Sequence, residues 1–141
     1  MIRSFILCLC LIGLPLAAFP CSFAGLEHEI KFEPQSAALG TENALALVDW
    51  FITRRDGIGV IDIWISVYSV DNSHALAISR ERMRNIAKII KPLNKNDVPV
   101  EFSIRGPVPV RGPLAFLSNH AVVVVQPACL KTNTCCFIKQ Q

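Results

Sequence analysis

A chain of 141 residues, 52% hydrophobic and 18% charged, is too apolar to remain disordered and, once a leader is set aside, too short for two domains. Its formal charge of +3 falls by one if Arg3 leaves with that leader, which is too mild a balance to build a nucleic-acid surface. The expectation is one small globular domain with a single core.

The first 24 residues have the layout of a cleavable signal peptide. A basic start at Arg3 is followed by an apolar stretch from Phe5 to Ala18, and Ser22-Phe23-Ala24 offers small residues three before and one before a cut. Cleavage after Ala24 is the first choice and after Ala18 the second. A retained membrane anchor would need about 20 uninterrupted apolar residues, whereas this run is shorter and contains Pro15. Cys21 raises the alternative of a lipidated N-terminus, but Pro20 stands where a lipoprotein box needs a small residue. Export without a lipid anchor is therefore expected, with no transmembrane segment after the leader.

Past the leader, Glu29 to Glu33 alternates polar and apolar residues as a half-buried strand does, and Pro34 stops it. Ser36 or Thr41 then caps a helix that carries Ala44, Leu45, Leu47, Val48, Phe51 and Ile52 and ends at Asp56-Gly57. From Val60 the period of two returns, with Ile61, Ile63, Ile65 and Val67 on one face and Asp62, Trp64, Ser66 and Tyr68 on the other. Asp71-Asn72-Ser73 supplies a turn and N-cap chemistry for a helix from His74 to Leu93, blunted by Pro92. Its basic residues Arg80, Arg82, Arg84, Lys88 and Lys91, with Lys95 beyond, read on charge pattern as a solvated face.

Val98 to Ile104 alternates again as a third strand. Pro107, Pro109, Gly112 and Pro113 then demand a loop, because proline removes the donors a ladder needs. Ala121 to Val125, closed by Pro127, is a fourth strand whose β-branched run suggests burial on both faces or a covered sheet centre. The order β-α-β-α-β-β, with right-handed crossovers, lays two helices on one face of a mixed sheet: an α/β arrangement of the α+β two-layer sandwich type.

Six cysteines divide into Cys8, Cys10 and Cys21 in the leader and Cys129, Cys135 and Cys136 after it. In an oxidising compartment the tail invites a loop closed from Cys129 to Cys135 or to Cys136, with one thiol left over. The three lack the ligand count and paired spacing of a zinc site, and no cofactor motif is present. His28, His74 and His120 are widely spaced, without a helical His-x3-His pair or a nucleophile elbow, so a binding or structural protein rather than an enzyme is expected.

With these elements in order, residues 25–128 resemble the OmpA-like domain, which binds peptidoglycan noncovalently in the bacterial periplasm, and residues 129–141 form a cysteine-bearing tail. Ile30-Lys31-Phe32 and Ser36-Ala37-Ala38-Leu39 are similar to the family's opening strand and its step into the first helix. Ala75-Leu76-Ala77-Ile78-Ser79-Arg80-Glu81-Arg82-Met83 resembles its Asn-x-x-Leu-Ser-x-x-Arg-Ala motif, and Asn119 with Val122 and Val124 its closing strand. The resemblance implies a C-terminal OmpA-type fold and a periplasmic location at the outer membrane or cell wall. It also implies a site that grips the diaminopimelate of the peptidoglycan stem peptide. Arg82 would take the carboxylate, since a planar guanidinium fork suits it. Asp71, helped by Tyr68 and Ser69, would take the ammonium, and Asn119 would stand close by. The acid falls one residue late, Ala75 replaces the family's asparagine, His120-Ala121 replaces Arg-Arg, and the connection from Asp71 to Arg82 is short. These departures leave a second reading open, in which the same fold serves as a structural or protein-interaction subunit of an envelope assembly.

Overall fold

The computed structural model describes residues 25–132 together with 134 and 135. The expected signal peptide (1–24) and Cys136 therefore lie outside the described residues. Six principal elements follow in chain order: β1 (Glu27–Lys31), α1 (Thr41–Ile58), β2 (Val60–Tyr68), α2 (Ser73–Ile90), β3 (Val100–Arg105) and β4 (His120–Pro127). Short 3-10 turns occupy Lys91–Leu93, Ala115–Asn119 and Ala128–Thr132. The strands form one mixed sheet in the order β1-β4-β2-β3. β4 runs antiparallel to both β1 and β2, while β2 and β3 are parallel, as the crossover through α2 requires.

Alternation along the strands sorts side chains onto two faces. Ile30, Ile63, Ile65, Val67, Ala121, Val123 and Val125 are buried with Leu47 and Phe51 of α1 and Ile86 and Ile90 of α2 in one core. Both helices therefore cover the same face, as the element order predicts. β4 is hydrogen-bonded on both sides and alternates buried with half-buried residues, which is how its valine run fits a sheet centre. On the other face Ser66 and Ser103 share a hydrogen bond of 2.7 Å between their hydroxyls. At the β4 end of that face, His120 meets Phe116 edge-on and its Nδ1 lies 2.5 Å from the Glu29 carboxylate.

Boundaries depart from the sequence reading where a local hydrogen bond outcompetes the pattern. β1 begins at Glu27, two residues earlier than its alternation suggests, because Glu27 and His28 already pair with Val124 and Val123. Gly40 rather than Ser36 or Thr41 stands at the N-cap of α1, and no side chain caps that end. The helix continues past Asp56-Gly57 to Ile58 and stops at Gly59, whose φ of +66° favours glycine. Ile61 leaves the core face: the pairing of β2 with β4 shifts between Val60 and Asp62, so Val60 and Ile63 are the buried pair across the irregularity. Val98 is held outside β3 by Asn94, whose side chain bonds both its N–H and its C=O. α2 gives way at Lys91–Leu93 to a 3-10 turn containing Pro92.

Candidate functional site

The N-terminus of α2 is set by Asn72, whose Oδ1 accepts from the Ala75 N–H at 2.7 Å, as the Asp71-Asn72-Ser73 signal suggests. About two and three turns further on, Ser79 and Arg82 point inward, with the Ser79 hydroxyl donating to the Tyr68 carbonyl at 3.3 Å. Arg82 is thus not part of a solvated basic face. It is only 2% exposed, the bulkiest of the fully buried side chains. Arg80, Arg84, Lys88 and Lys91 do remain exposed, and Arg84 pairs with Glu81 one turn earlier.

Two separate stretches of backbone, the β1–α1 loop and the turn before β4, direct carbonyls toward the Arg82 guanidinium. Nε donates to Ser36 O at 2.7 Å and Nη1 to Ser118 O at 2.6 Å, while Nη2 donates to Glu33 O at 3.3 Å and to Asn119 Oδ1 at 3.4 Å. The Phe32 ring lies 4.6 Å from the guanidinium carbon, a cation–π contact. Asn85, one turn along α2, adds a bond from Nδ2 to Ala37 O at 2.9 Å. The loop between β1 and α1 is thereby strapped to α2, and the turn leading into β4 is strapped to the same arginine.

None of the partners of Arg82 is a carboxylate. Burial lowers the pKa of the group, yet an arginine remains cationic in any protein environment, so a full positive charge sits in the interior compensated only by dipoles. That guanidinium forms one wall of a small pocket of about 160 Å³ at the N-terminus of α2, whose walls also include Ser69, His74, Ala75, Ser79 and Asn119. No acid lines this pocket. A helix N-terminus presents free N–H groups and the positive end of a macrodipole, so both charge sources there favour an anion.

Of the expected ligand residues, Arg82, Ser69 and Asn119 are brought together in this pocket, and Asp71 and Tyr68 are not. Ser69 is buried, and its hydroxyl donates to the neighbouring Val70 carbonyl at 3.1 Å. Tyr68 belongs to the opposite face of the sheet, where Arg105 lies 5.9 Å from its ring centroid. Asp71 is exposed and lines a different cleft with Leu76, Ile104, Arg105, Gly106 and Pro107. The cause is the one-residue displacement of the acid: the chain turns between Val70 and Asn72, with Asn72 N–H bonded to Val70 O at 2.9 Å, so position 71 lies past the pocket rim. Sequence reasoning missed Gln35 and Ser118, which also line the pocket. Ser118 acts through its main chain on Arg82, and a backbone carbonyl leaves no mark in the residue type.

In the tail, Cys129 and Cys135 form a disulfide with their Cα atoms 4.8 Å apart, resolving one of the two loop closures that the spacing allows. His28 stacks on Trp50, with ring centroids 5.1 Å apart, and His74 lies at the start of α2. No described helix is long and apolar enough to cross a membrane.

No protein-family model and no curated protein sequence matches the chain. Solved structures do. The OmpA-like domain of FopA1 from Francisella tularensis subsp. tularensis SCHU S4 aligns over 72% of this chain and 72% of its own, with a TM-score of 0.53 and 13% identity. The C-terminal domain of MotB from Helicobacter pylori aligns over 77% of this chain and 91% of its own, with a TM-score of 0.56 and 13% identity. The chain has the fold of the OmpA-like domain, with a sequence far diverged from both neighbours.

Proposed function

We propose that this chain is an exported, non-catalytic cell-envelope module that resides in the periplasm and attaches noncovalently to peptidoglycan, with a carboxylate of the stem peptide entering the pocket beside Arg82. The observation that carries the proposal is the buried guanidinium without an acid partner, walling a pocket that reaches the N-terminus of α2. A carboxylate there meets a cation in a low-dielectric wall and the positive end of the α2 dipole, which is the charge-assisted arrangement that such groups seek. The ammonium of a diaminopimelate side chain finds only neutral acceptors, such as Asn119 Oδ1, because Asp71 lies in another cleft. The anionic half of the ligand therefore provides most of the recognition.

Cosedimentation of the purified protein with isolated sacculi tests this. Ala75→Glu places a carboxylate at the pocket without touching the bonds of Arg82, and it should reduce the bound fraction at least tenfold. Leu45→Glu, on the exposed side of α1, should leave binding unchanged. Equal retention of wild type and Ala75→Glu, or retention of neither, would refute the proposal.

The position of Asp71 outside the pocket favours a second reading, a protein-interaction subunit of an envelope assembly that keeps the framework without the sugar-peptide grip. Absence of sacculus binding together with a defined envelope partner crosslinked in intact cells would decide for it.

A further inference from the structure

β3 is an edge strand with β2 on one side only. Its ladder places Pro99 O against Ile63 N–H and Arg105 O against Ser69 N–H, so the alternation of a parallel strand turns the N–H and C=O groups of Val100, Phe102 and Ile104 outward. Beside that edge runs a groove of about 670 Å³ between β3 and α2. Its floor and walls are apolar: Met83, Ala87, Ile90, Val98, Val100 and Phe102. Phe102 is 52% exposed although its register with Ile65 puts it on the helix-covered face, because it lies on the edge strand with the groove between it and α2.

The outer rim is basic. Arg80, Arg84, Lys88 and Lys91 follow one another at intervals of four, four and three residues and so form one stripe on α2, one row out from Met83, Ala87 and Ile90. Asp97 is the one acid that lines the groove. An open strand edge, an apolar trough and a cationic rim together describe a receptor for an added strand, in which the backbone supplies affinity and alternate side chains supply selectivity.

We propose that this groove binds an extended acidic segment of a partner protein, which adds as a strand to β3, sets alternate apolar side chains on Phe102 and Met83, and reaches the α2 rim with its carboxylates. Charge selects this occupant over the others. A second copy pairing β3 to β3 about a two-fold axis would bring two basic stripes together. Residues 1–24 and 136–141 contain Arg3 and Lys139 but no acidic side chain, so neither segment complements the rim. This site is separate from the Arg82 pocket, and its test makes no use of peptidoglycan.

The probe is a fluorescein-labelled ten-residue peptide in which threonine alternates with glutamate or valine, read by fluorescence polarisation and by amide shifts of the 15N-labelled protein. Saturable binding is expected, with the largest shifts at Val100, Phe102 and Ile104. The same peptide with lysine in place of glutamate should bind at least tenfold more weakly. Arg84→Glu combined with Lys88→Glu changes exposed side chains only and should also weaken binding at least tenfold. Phe102→Pro removes an outward N–H from an edge strand, where proline is tolerated, and should abolish binding while the far-UV spectrum is kept. The proposal is overturned if the lysine peptide binds equally well, if the double variant binds as wild type does, or if no saturable binding occurs up to about 1 mM. A dimer with contacts mapped to Val100, Phe102 and Ile104 would overturn it as well.

Discussion

Replacing Arg82 with methionine tests what the buried cation does for the fold apart from any ligand. Methionine keeps most of the apolar stem but withdraws the donors from Ser36 O, Ser118 O, Glu33 O and Asn119 Oδ1. Each buried acceptor left without a donor costs about 1–3 kcal/mol. The two bonds shorter than 2.8 Å should dominate, and water entering the adjoining pocket should satisfy the weaker pair, so the gross loss is about 2–6 kcal/mol. No counter-ion is stranded by the change, and methionine against Phe32 returns about 1 kcal/mol through apolar burial. The net destabilisation is about 1–5 kcal/mol, a large share of the 5–15 kcal/mol typical of a domain. In urea, with a slope of about 2 kcal/mol/M, the middle of that range lowers the midpoint by about 1.5 M, followed by the fluorescence of Trp50 and Trp64. A loss below about 0.5 kcal/mol would mean that the carbonyls of the two segments do not depend on the guanidinium, and the strapping argument would fail.

Gly106→Ala should destabilise by about 2 kcal/mol, because the new Cβ would stand 2.4 Å from Ser69 O at a φ of +152°; an unchanged urea midpoint would show that this carbonyl, which accepts from the Val108 N–H at 2.9 Å, is not tightly held. The pKa of His28 is lowered from 6.5 by burial against Trp50, so between its folded value and 6.5 the unfolded chain binds more protons. Its contribution to stability is therefore complete above about pH 7 and is lost as the pH falls through the folded value. Thermal melts should show the midpoint declining from pH 7 towards pH 5, and His28→Gln should flatten that part of the profile; a profile that His28→Gln leaves unaltered would exclude the histidine as its source.

The scaffold was legible because its signals are repeated along many residues. Ile63, Ile65 and Val67 mark a strand face three times over, and Leu76 to Ile90 repeats the helical interval through about four turns, so one local exception does not change the element. The exceptions fell where a single residue decides: the irregularity that turns Ile61 out of the core, and Asn94 holding Val98 out of β3. The pocket was less legible for a different reason. Arg82 could be placed by its motif, but its depth could not, because charge pattern treats it like Arg80 and Arg84, which share its helix and face solvent. The difference lies in backbone oxygens from Glu33, Ser36 and Ser118, contributed by loops whose approach no side-chain pattern encodes. Asp71 failed for the converse reason. A one-residue displacement is trivial in sequence, yet across the Val70–Asn72 turn it moves the acid into another cleft.

An arginine that ties the β1–α1 loop and the turn before β4 to α2 would be required whether or not a ligand ever enters beside it. Removing Arg82 therefore cannot by itself distinguish a binding site from a framework, since both roles predict a damaged protein. Their separation depends on the geometry of the pocket: Ala75 borders it but makes no bond to Arg82, so glutamate at position 75 competes for the cation while the carbonyl straps stay in place. If the folded Ala75→Glu protein loses sacculi and the Arg82→Met protein is destabilised, the guanidinium holds the fold by the donors facing Ser36 and Ser118 and serves the ligand with the charge that those dipoles leave uncompensated. The two roles do not compete, because neutral carbonyls satisfy the hydrogen-bond directions of a guanidinium without cancelling its charge. A framework role alone predicts that Ala75→Glu is stabilised by its new ion pair and is otherwise indistinguishable from wild type.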